Sequence, residues 1–166
     1  MLFIFLVTFT VFPGVTDHSY LTFMLGLQND LGWFNLFMTT VFNVMDTVGR
    51  KMGGLKTFDL EGVTIKILSI ARVFFVATFL LVAFEVGPSW LFQSSWFKIF
   101  NMMAFAFTNG YISTLCAVKA PGTVAIEQRG QVGAFIGTTI TIGILLGSIL
   151  AIFMGFAMAA APTPLS

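Results

Sequence analysis

Residues 42–50 read FNVMDTVGR and set an amide, an acid and a base into an otherwise apolar segment of membrane length. A carboxylate inside a bilayer is costly unless it meets a partner, water or a ligand, so the presence of Asp46 there calls for a specific reason. Intramembrane acids mark substrate and ion pathways. We therefore treat Asp46 as a candidate functional residue.

Helical spacing groups the polar residues of this segment on one face. At about 100° per residue, steps of three and four residues place their side chains along one narrow stripe. The stripe consists of Asn35, Thr39, Asn43, Asp46 and Arg50. Asp46 and Arg50 are four residues apart, so the spacing predicts an ion pair that offsets both charges when no ligand is present.

The composition predicts a membrane protein. Apolar residues make up 57% of the chain and charged residues only 9%, a balance far from that of a soluble domain. The net charge is +1 and the eight Lys and Arg residues are scattered, so we expect no nucleic-acid partner. A single cysteine, Cys116, excludes an internal disulfide and a Cys cluster for zinc or iron. We expect no metal and no cofactor.

Five apolar blocks divide the chain and predict an all-α integral membrane protein, with five transmembrane helices in a single domain. The blocks are residues 1–15, 31–50, 63–86, 96–118 and 132–158 of a domain that covers residues 1–166. The last four are long enough to cross about 30 Å of hydrocarbon. The first is short and makes a poor secretory signal, so we interpret it as the outer part of a helix that begins upstream of Met1.

The distribution of basic residues predicts the orientation. Most lie around two connections: Arg50, Lys51, Lys56 and Lys66 around the second, and Lys119 and Arg129 around the fourth. The third connection holds only Lys98, at its edge. By the positive-inside rule the second and fourth connections are cytoplasmic, so the C-terminus lies outside. We expect the lipid bilayer of the plasma membrane rather than that of an organelle.

Three further features lie at membrane depth. Residues 109–111 (NGY) indicate a helix that lines a cavity or packs closely on a polar neighbour. Arg72 lies nine residues after Val63, too deep for a simple end anchor. Small residues recur in the last block and predict a close helix-packing surface. They are Gly133, Gly137, Gly143, Gly147, Ala151 and Gly155.

A series of short motifs resembles the C-terminal half of the equilibrative nucleoside transporters. In chain order they are Phe12-Pro13-Gly14, Phe42-Asn43-x-x-Asp46-x-x-Gly49-Arg50, Ala71-Arg72, Asn109-Gly110-Tyr111, Ala120-Pro121, Glu127 and a glycine-rich last helix. The resemblance covers nearly the whole chain. It implies that the five blocks correspond to the last five of eleven transmembrane helices, with the N-terminal helical bundle missing.

The resemblance also implies a mechanism. Two helix bundles rock about a central cavity, as in the major facilitator proteins, and expose a nucleoside to each side in turn. In the family, the Asp and Arg that match Asp46 and Arg50 lie at the sugar of the substrate. An acceptor carboxylate beside a donor guanidinium suits ribose hydroxyls, which both donate and accept hydrogen bonds. The resemblance thus assigns substrate contact to Asp46 and Arg50. Spacing adds Asn43, three residues before Asp46, as a third candidate for substrate contact, and Thr39, Arg72 and Asn109 are candidates for a cavity or gating role.

Each candidate also has a structural interpretation. Asp46 is alternatively a partner of Arg50 or Arg72 that locks helices together. Arg50 borders the cytoplasm, where it is alternatively a topology anchor. Asn109 is alternatively a helix-packing hydrogen bond. His18 is interpreted as a solvated loop residue.

Two other classes of function were weighed against transport. An enzyme is poorly supported, because there is one histidine, no second acid near Asp46 and no phosphate-binding loop. The second alternative follows because five helices form only half of a two-bundle transporter, and half a cavity cannot alternate by itself. The chain is alternatively a truncated product, or a non-transporting membrane module that packs on partner helices through its glycine face. No pattern in the sequence indicates which base is preferred. Nor does any pattern indicate whether the substrate is a nucleoside or a free nucleobase, or whether transport is coupled to protons.

Overall fold

The computed structural model describes residues 1–12, 33–55, 57, 59–84, 86, 88–92 and 94–160. Within these ranges the α-helices are α1 (Leu2–Val11), α2 (Trp33–Gly53), α3 (Gly62–Ala71), α4 (Val73–Ala83), α5 (Ser89–Phe92), α6 (Ser95–Lys119) and α7 (Arg129–Ala160). Two short 3₁₀ turns, Ala120–Thr123 and Ile126–Gln128, join α6 to α7. The described ranges contain no strand, which confirms the predicted all-α class. The predictions for Pro13, Gly14 and His18 lie outside the described residues.

Among the residues that the structure describes, two helical segments are long and apolar enough to cross a membrane. They are Gly62–Ala83, which comprises α3 and α4, and Ile126–Ala157, which includes most of α7. The apolar helix α1 is shorter. α2 and α6 have 21 and 25 residues but carry more polar side chains. The count of five transmembrane helices stays a prediction.

The third predicted block differs from a single uninterrupted helix. A turn at Arg72 separates α3 from α4. Lys98 lies in the first turn of α6, at the edge of the third connection as expected, and is only 4% exposed. Both basic side chains are thus drawn into the helical packing.

α2 and α6 pack in parallel at a distance that only glycine permits. A Cβ on Gly110 would clash with the Asp46 carbonyl oxygen and lie 2.8 Å from the Arg50 nitrogen. A Cβ on Gly49 would clash with the Phe107 carbonyl oxygen. Because the contact is between backbones, no side-chain rotation would relieve it. The two glycines therefore bring the backbone of α2 against that of α6 next to Asp46.

α1 and α7 also pack backbone against backbone at glycines. A Cβ on Gly143 would lie 2.6 Å from the Leu2 carbonyl oxygen, and one on Gly147 would lie 2.6 Å from that of Leu6. The predicted glycine packing surface is confirmed at these two positions. The other glycines of the stripe, Gly133, Gly137 and Gly155, have open space beside them within the described part of the chain.

The apolar core has two clusters that lie along α6. One contains Val7, Val11, Met38, Phe79, Met102 and Phe105. The other contains Ile4, Phe5, Ile65, Ile112 and Leu115. Both draw side chains from α1 and α6. Residues 108 and 109 of α6 lie between the two clusters, so polar groups there are placed within an apolar environment.

We expect Gly110→Ala to destabilise the helix pair and Gly137→Ala to be tolerated. The first substitution forces a methyl group against backbone, at a cost of about 1–3 kcal/mol. The second places it in open space, where the better helix propensity of alanine adds up to about 1 kcal/mol. The measurement is the temperature at which the detergent-extracted protein loses its monodisperse peak. Equal midpoints for the two variants would contradict the close crossing of α2 and α6.

Candidate functional site

Asp46 lies on α2 at the border between its packed and open faces. The residue is 9% exposed. Its Oδ2 accepts a hydrogen bond from Arg50 Nε at 2.6 Å, one turn further along the helix. The predicted ion pair is therefore confirmed. Its two members differ in environment, because the Arg50 side chain is 49% exposed and that of Asp46 only 12%.

Asn109 on α6 satisfies the other carboxylate oxygen. Its Nδ2 donates to Asp46 Oδ1 at 2.7 Å, and the residue is 2% exposed. The neighbouring Gly110 sets this distance, since it allows α6 to touch the backbone of α2 at Asp46. Of the two predicted possibilities for residues 109–111, the close polar packing is the one observed.

Arg72 is the most deeply buried charged side chain of the site, at 1% exposed. It donates to the Phe105 carbonyl oxygen at 3.0 Å and to Thr108 Oγ1 at 2.6 Å. Its second terminal nitrogen donates to Thr8 Oγ1 at 2.9 Å and lies 3.4 Å from Asn109 Oδ1. The guanidinium carbon also lies 4.8 Å from the centre of the Phe105 ring, a cation–π distance.

These contacts join α1, α2, α6 and the α3–α4 turn in one network, which we call the polar cluster. Its members are Thr8, Asp46, Arg72, Thr108 and Asn109. The two apolar clusters flank it along α6. Hydrogen bonds in such a low-dielectric place are strong, and unpaired groups there are costly. The arrangement therefore holds the Asp46 carboxylate rigidly from its buried side.

The open side of α2 carries polar side chains among the exposed apolar residues Leu36, Val44 and Val48. Asn43 and Arg50 are exposed there, and Thr39 is half-buried. The side chain of Asn35 lies outside the described residues. Sequence reasoning missed Thr40 and Thr47, which are exposed on the same helix and bond back to its carbonyl oxygens.

Thr8 is a further member of the site that sequence reasoning missed. Its hydroxyl lies 2.7 Å from Asn109 Oδ1 across 101 residues of chain. Its signal in the sequence is weak, because Thr8 is one of two threonines, with Thr10, in the first apolar block. Such hydroxyls commonly bond their own helix, as Thr8 also does to Ile4 at 2.8 Å.

The charges and donors of the site suit a neutral ligand with hydroxyl groups. One carboxylate supplies acceptor oxygens, and the partly exposed guanidinium of Arg50 supplies donors. Within the described ranges, no three His, Cys, Asp or Glu side chains come together in a way that would hold a metal ion. The Asp46 carboxylate and the Arg50 guanidinium can contact such a ligand through hydrogen bonds.

A helical bundle with two membrane-length apolar segments among the described residues and a buried polar cluster is typical of a membrane protein. Comparison with known families narrows this class. The model of the family described as "Nucleoside transporter" matches residues 1–156. The chain belongs to the nucleoside transporter family.

Named relatives agree with this membership. The chain is 26% identical over 147 residues to equilibrative nucleoside transporter 4 of Danio rerio, covering 87% of this chain and 26% of the relative. It is 29% identical over 156 residues to nucleoside transporter 1.2 of Leishmania donovani, covering 89% and 29%. It is 27% identical over 158 residues to adenosine transporter 1 of Crithidia fasciculata, covering 90% and 29%. The chain thus spans between a quarter and a third of these relatives. No solved structure matches it.

We expect Arg72→Met to destabilise the fold much more than Arg50→Met. The first substitution removes a guanidinium that bonds several buried acceptors, at a cost of about 1–3 kcal/mol. The second removes a half-exposed guanidinium and leaves the Asp46 carboxylate its hydrogen bond from Asn109, so we expect a smaller loss. Urea or thermal unfolding of the two variants in the same detergent would measure the difference. A larger loss for Arg50→Met would contradict the buried network.

Proposed function

We propose that this chain forms the C-terminal bundle of a nucleoside transporter that works by alternating access, with Asp46 and Arg50 at the ribose of the substrate. Membership of the nucleoside transporter family supports the general activity. The observation that carries the site is the paired Asp46 and Arg50, one buried and the other half exposed, at an open face of α2.

The geometry of the pair supports ribose as the group recognised. Ribose hydroxyls both donate and accept, so one can bond a carboxylate while its neighbour bonds a guanidinium. In the absence of ligand, Arg50 occupies Asp46 Oδ2. A ligand hydroxyl takes that place when the Arg50 side chain turns outward, and the exposure of Arg50 leaves it free to do so.

The exposed polar face of α2 supports a second bundle opposite this one. Polar residues that face lipid are costly, whereas the same residues beside a water-filled path are not. Thr40, Asn43, Thr47 and Arg50 all lie exposed on α2. We propose that they line a central cavity whose other wall is an N-terminal bundle, with Thr39 at its edge. Arg72 and Asn109 support this wall from behind.

The direction of the helices supports the proposed topology. α2 and α6 are parallel, which places Gly53 beside Tyr111 and Thr114 near the basic ends of both helices. Lys119 at the end of α6 pairs with Asp59 of the α2–α3 connection at 2.8 Å. We propose that this end is cytoplasmic, that the C-terminus lies outside, and that the protein resides in the plasma membrane.

We expect Asp46→Asn or Arg50→Ala in the complete protein to reduce nucleoside uptake to background. Each substitution removes one of the two charges proposed to bond the ribose, while the protein stays in the membrane. The measurement is uptake of radiolabelled adenosine and uridine in cells that lack their own nucleoside carriers. Adenosine is included because the relative from Crithidia fasciculata is named an adenosine transporter.

Matched controls are available in the same chain. Asp59→Asn makes the same change at an exposed carboxylate of the α2–α3 connection, and Arg129→Ala makes the same change at the exposed start of α7. Both should keep uptake close to that of the unmodified protein. Undiminished uptake in both Asp46→Asn and Arg50→Ala, at normal surface level, would refute the proposed site.

The proposed second bundle predicts that residues 1–166 need further helices for transport. We expect no uptake when they are expressed alone, and uptake when the upstream coding sequence is restored. Surface biotinylation would confirm that both forms reach the membrane. No uptake from either form, despite good membrane expression, would favour a non-transporting module, for which the open space beside Gly133 and Gly137 offers a packing face.

A further inference from the structure

The two oxygens of the Asp46 carboxylate have unlike partners. Oδ2 meets Arg50, whose side chain is 49% exposed and free to move. Oδ1 meets Asn109, which is 2% exposed and fixed within α6. A ligand that displaces Arg50 therefore leaves the carboxylate anchored through its other oxygen. The orientation of that anchor decides where Oδ2 points.

The orientation of the Asn109 amide is set by groups on its far side. Thr8 Oγ1 lies 2.7 Å from Asn109 Oδ1, and Arg72 Nη2 lies 3.4 Å from the same atom. Arg72 also donates to Thr8 Oγ1 at 2.9 Å, so the hydroxyl accepts there, and its single proton is shared between Asn109 Oδ1 and the Ile4 carbonyl oxygen at 2.8 Å. Because donors surround Oδ1, the amide nitrogen is the end that faces the carboxylate. Reversing the amide would set its oxygen against Asp46.

We propose that Asn109 is a positioning residue for the Asp46 carboxylate, held in its orientation by Thr8 and Arg72, and that it thereby determines discrimination for sugar hydroxyls. The proposal rests on the proposed function, in which Asp46 bonds the ribose. Without the Asn109 amide, Asp46 keeps only Arg50 as a partner. Both carboxylate oxygens then turn toward that guanidinium, and a ligand hydroxyl competes with a stronger ion pair.

Sugar discrimination is the readout that separates positioning from a general structural role. The complete protein is expressed in cells that lack nucleoside carriers, and radiolabelled adenosine uptake is inhibited with unlabelled adenosine or with 2′,3′-dideoxyadenosine. The unmodified protein should be inhibited by adenosine at the lower concentration. For Asn109→Ala we expect this preference to fall by about tenfold, the size expected for one hydrogen bond to a charged group.

Asn101→Ala is the matched control. Asn101 is a second buried amide of α6, two turns from Asn109 and 8% exposed, and its Oδ1 accepts from Thr78 at 3.2 Å. Removing it perturbs the same helix without touching Asp46. The preference for adenosine should be unchanged in this variant. An equal fall in Asn101→Ala and Asn109→Ala would overturn the proposal, since it would reflect loosened packing alone.

Thr8→Val keeps the test usable if Asn109→Ala does not reach the surface. Valine has nearly the shape of threonine and removes one of the two groups that hold Asn109 Oδ1. We expect a smaller fall in preference, about twofold to threefold, because Arg72 remains. An unchanged preference in every surface-expressed variant of Asn109 and Thr8 would overturn the proposal.

Asp46→Asn distinguishes failure of this proposal from failure of the proposed function. Residual uptake by Asp46→Asn with the full preference for adenosine would refute the ribose contact itself, as would the lack of any preference in the unmodified protein. Abolished uptake, or a lost preference, in Asp46→Asn with full preference in Asn109→Ala would refute only the positioning role. A fall in Asn109→Ala with none in Asn101→Ala supports both.

Discussion

The carboxylate of Asp46 constrains the arrangement of the helices around it, because a charge at that depth must find partners within the protein. Arg50 supplies one from the same helix, and Asn109 supplies the other from α6. The second partner requires the two helices to touch at their backbones, which the glycines at 49 and 110 permit. The two glycines, the close packing of α2 against α6 and the hydrogen bonds of the Asp46 carboxylate therefore depend on one another.

The network behind Asp46 explains how a polar site is kept rigid in an apolar bundle. Arg72 stands at the turn between α3 and α4 and reaches α1 and α6 with its donors. The apolar clusters on either side keep this region dry, so each hydrogen bond is strong and each is needed. The opposite side of α2 leaves hydroxyls, an amide and the Arg50 guanidinium exposed. The buried hydrogen bonds and the exposed polar side chains thus lie on different sides of α2.

Local rules predicted a good part of this arrangement. The helical class, the pair of Asp46 and Arg50, and the packing role of Gly143 and Gly147 follow from spacing along single helices, and the motif series identified the family. The partners of Asn109 did not follow, since Asp46 and Thr8 lie 63 and 101 residues away in the chain. The spacing of polar and apolar residues defines the faces of a single helix, but it does not show which faces of two helices contact each other. The break at Arg72 was not predicted either, because no glycine or proline marks it in residues 63–83.

A structure of the complete protein with adenosine bound would test the central claim most directly. The account predicts ribose hydroxyl oxygens within about 2.5–3.2 Å of the Asp46 carboxylate and the Arg50 guanidinium, with the bond from Asn109 to Asp46 retained. Adenosine bound elsewhere, with the pair of Asp46 and Arg50 closed on itself as it is here, would contradict it.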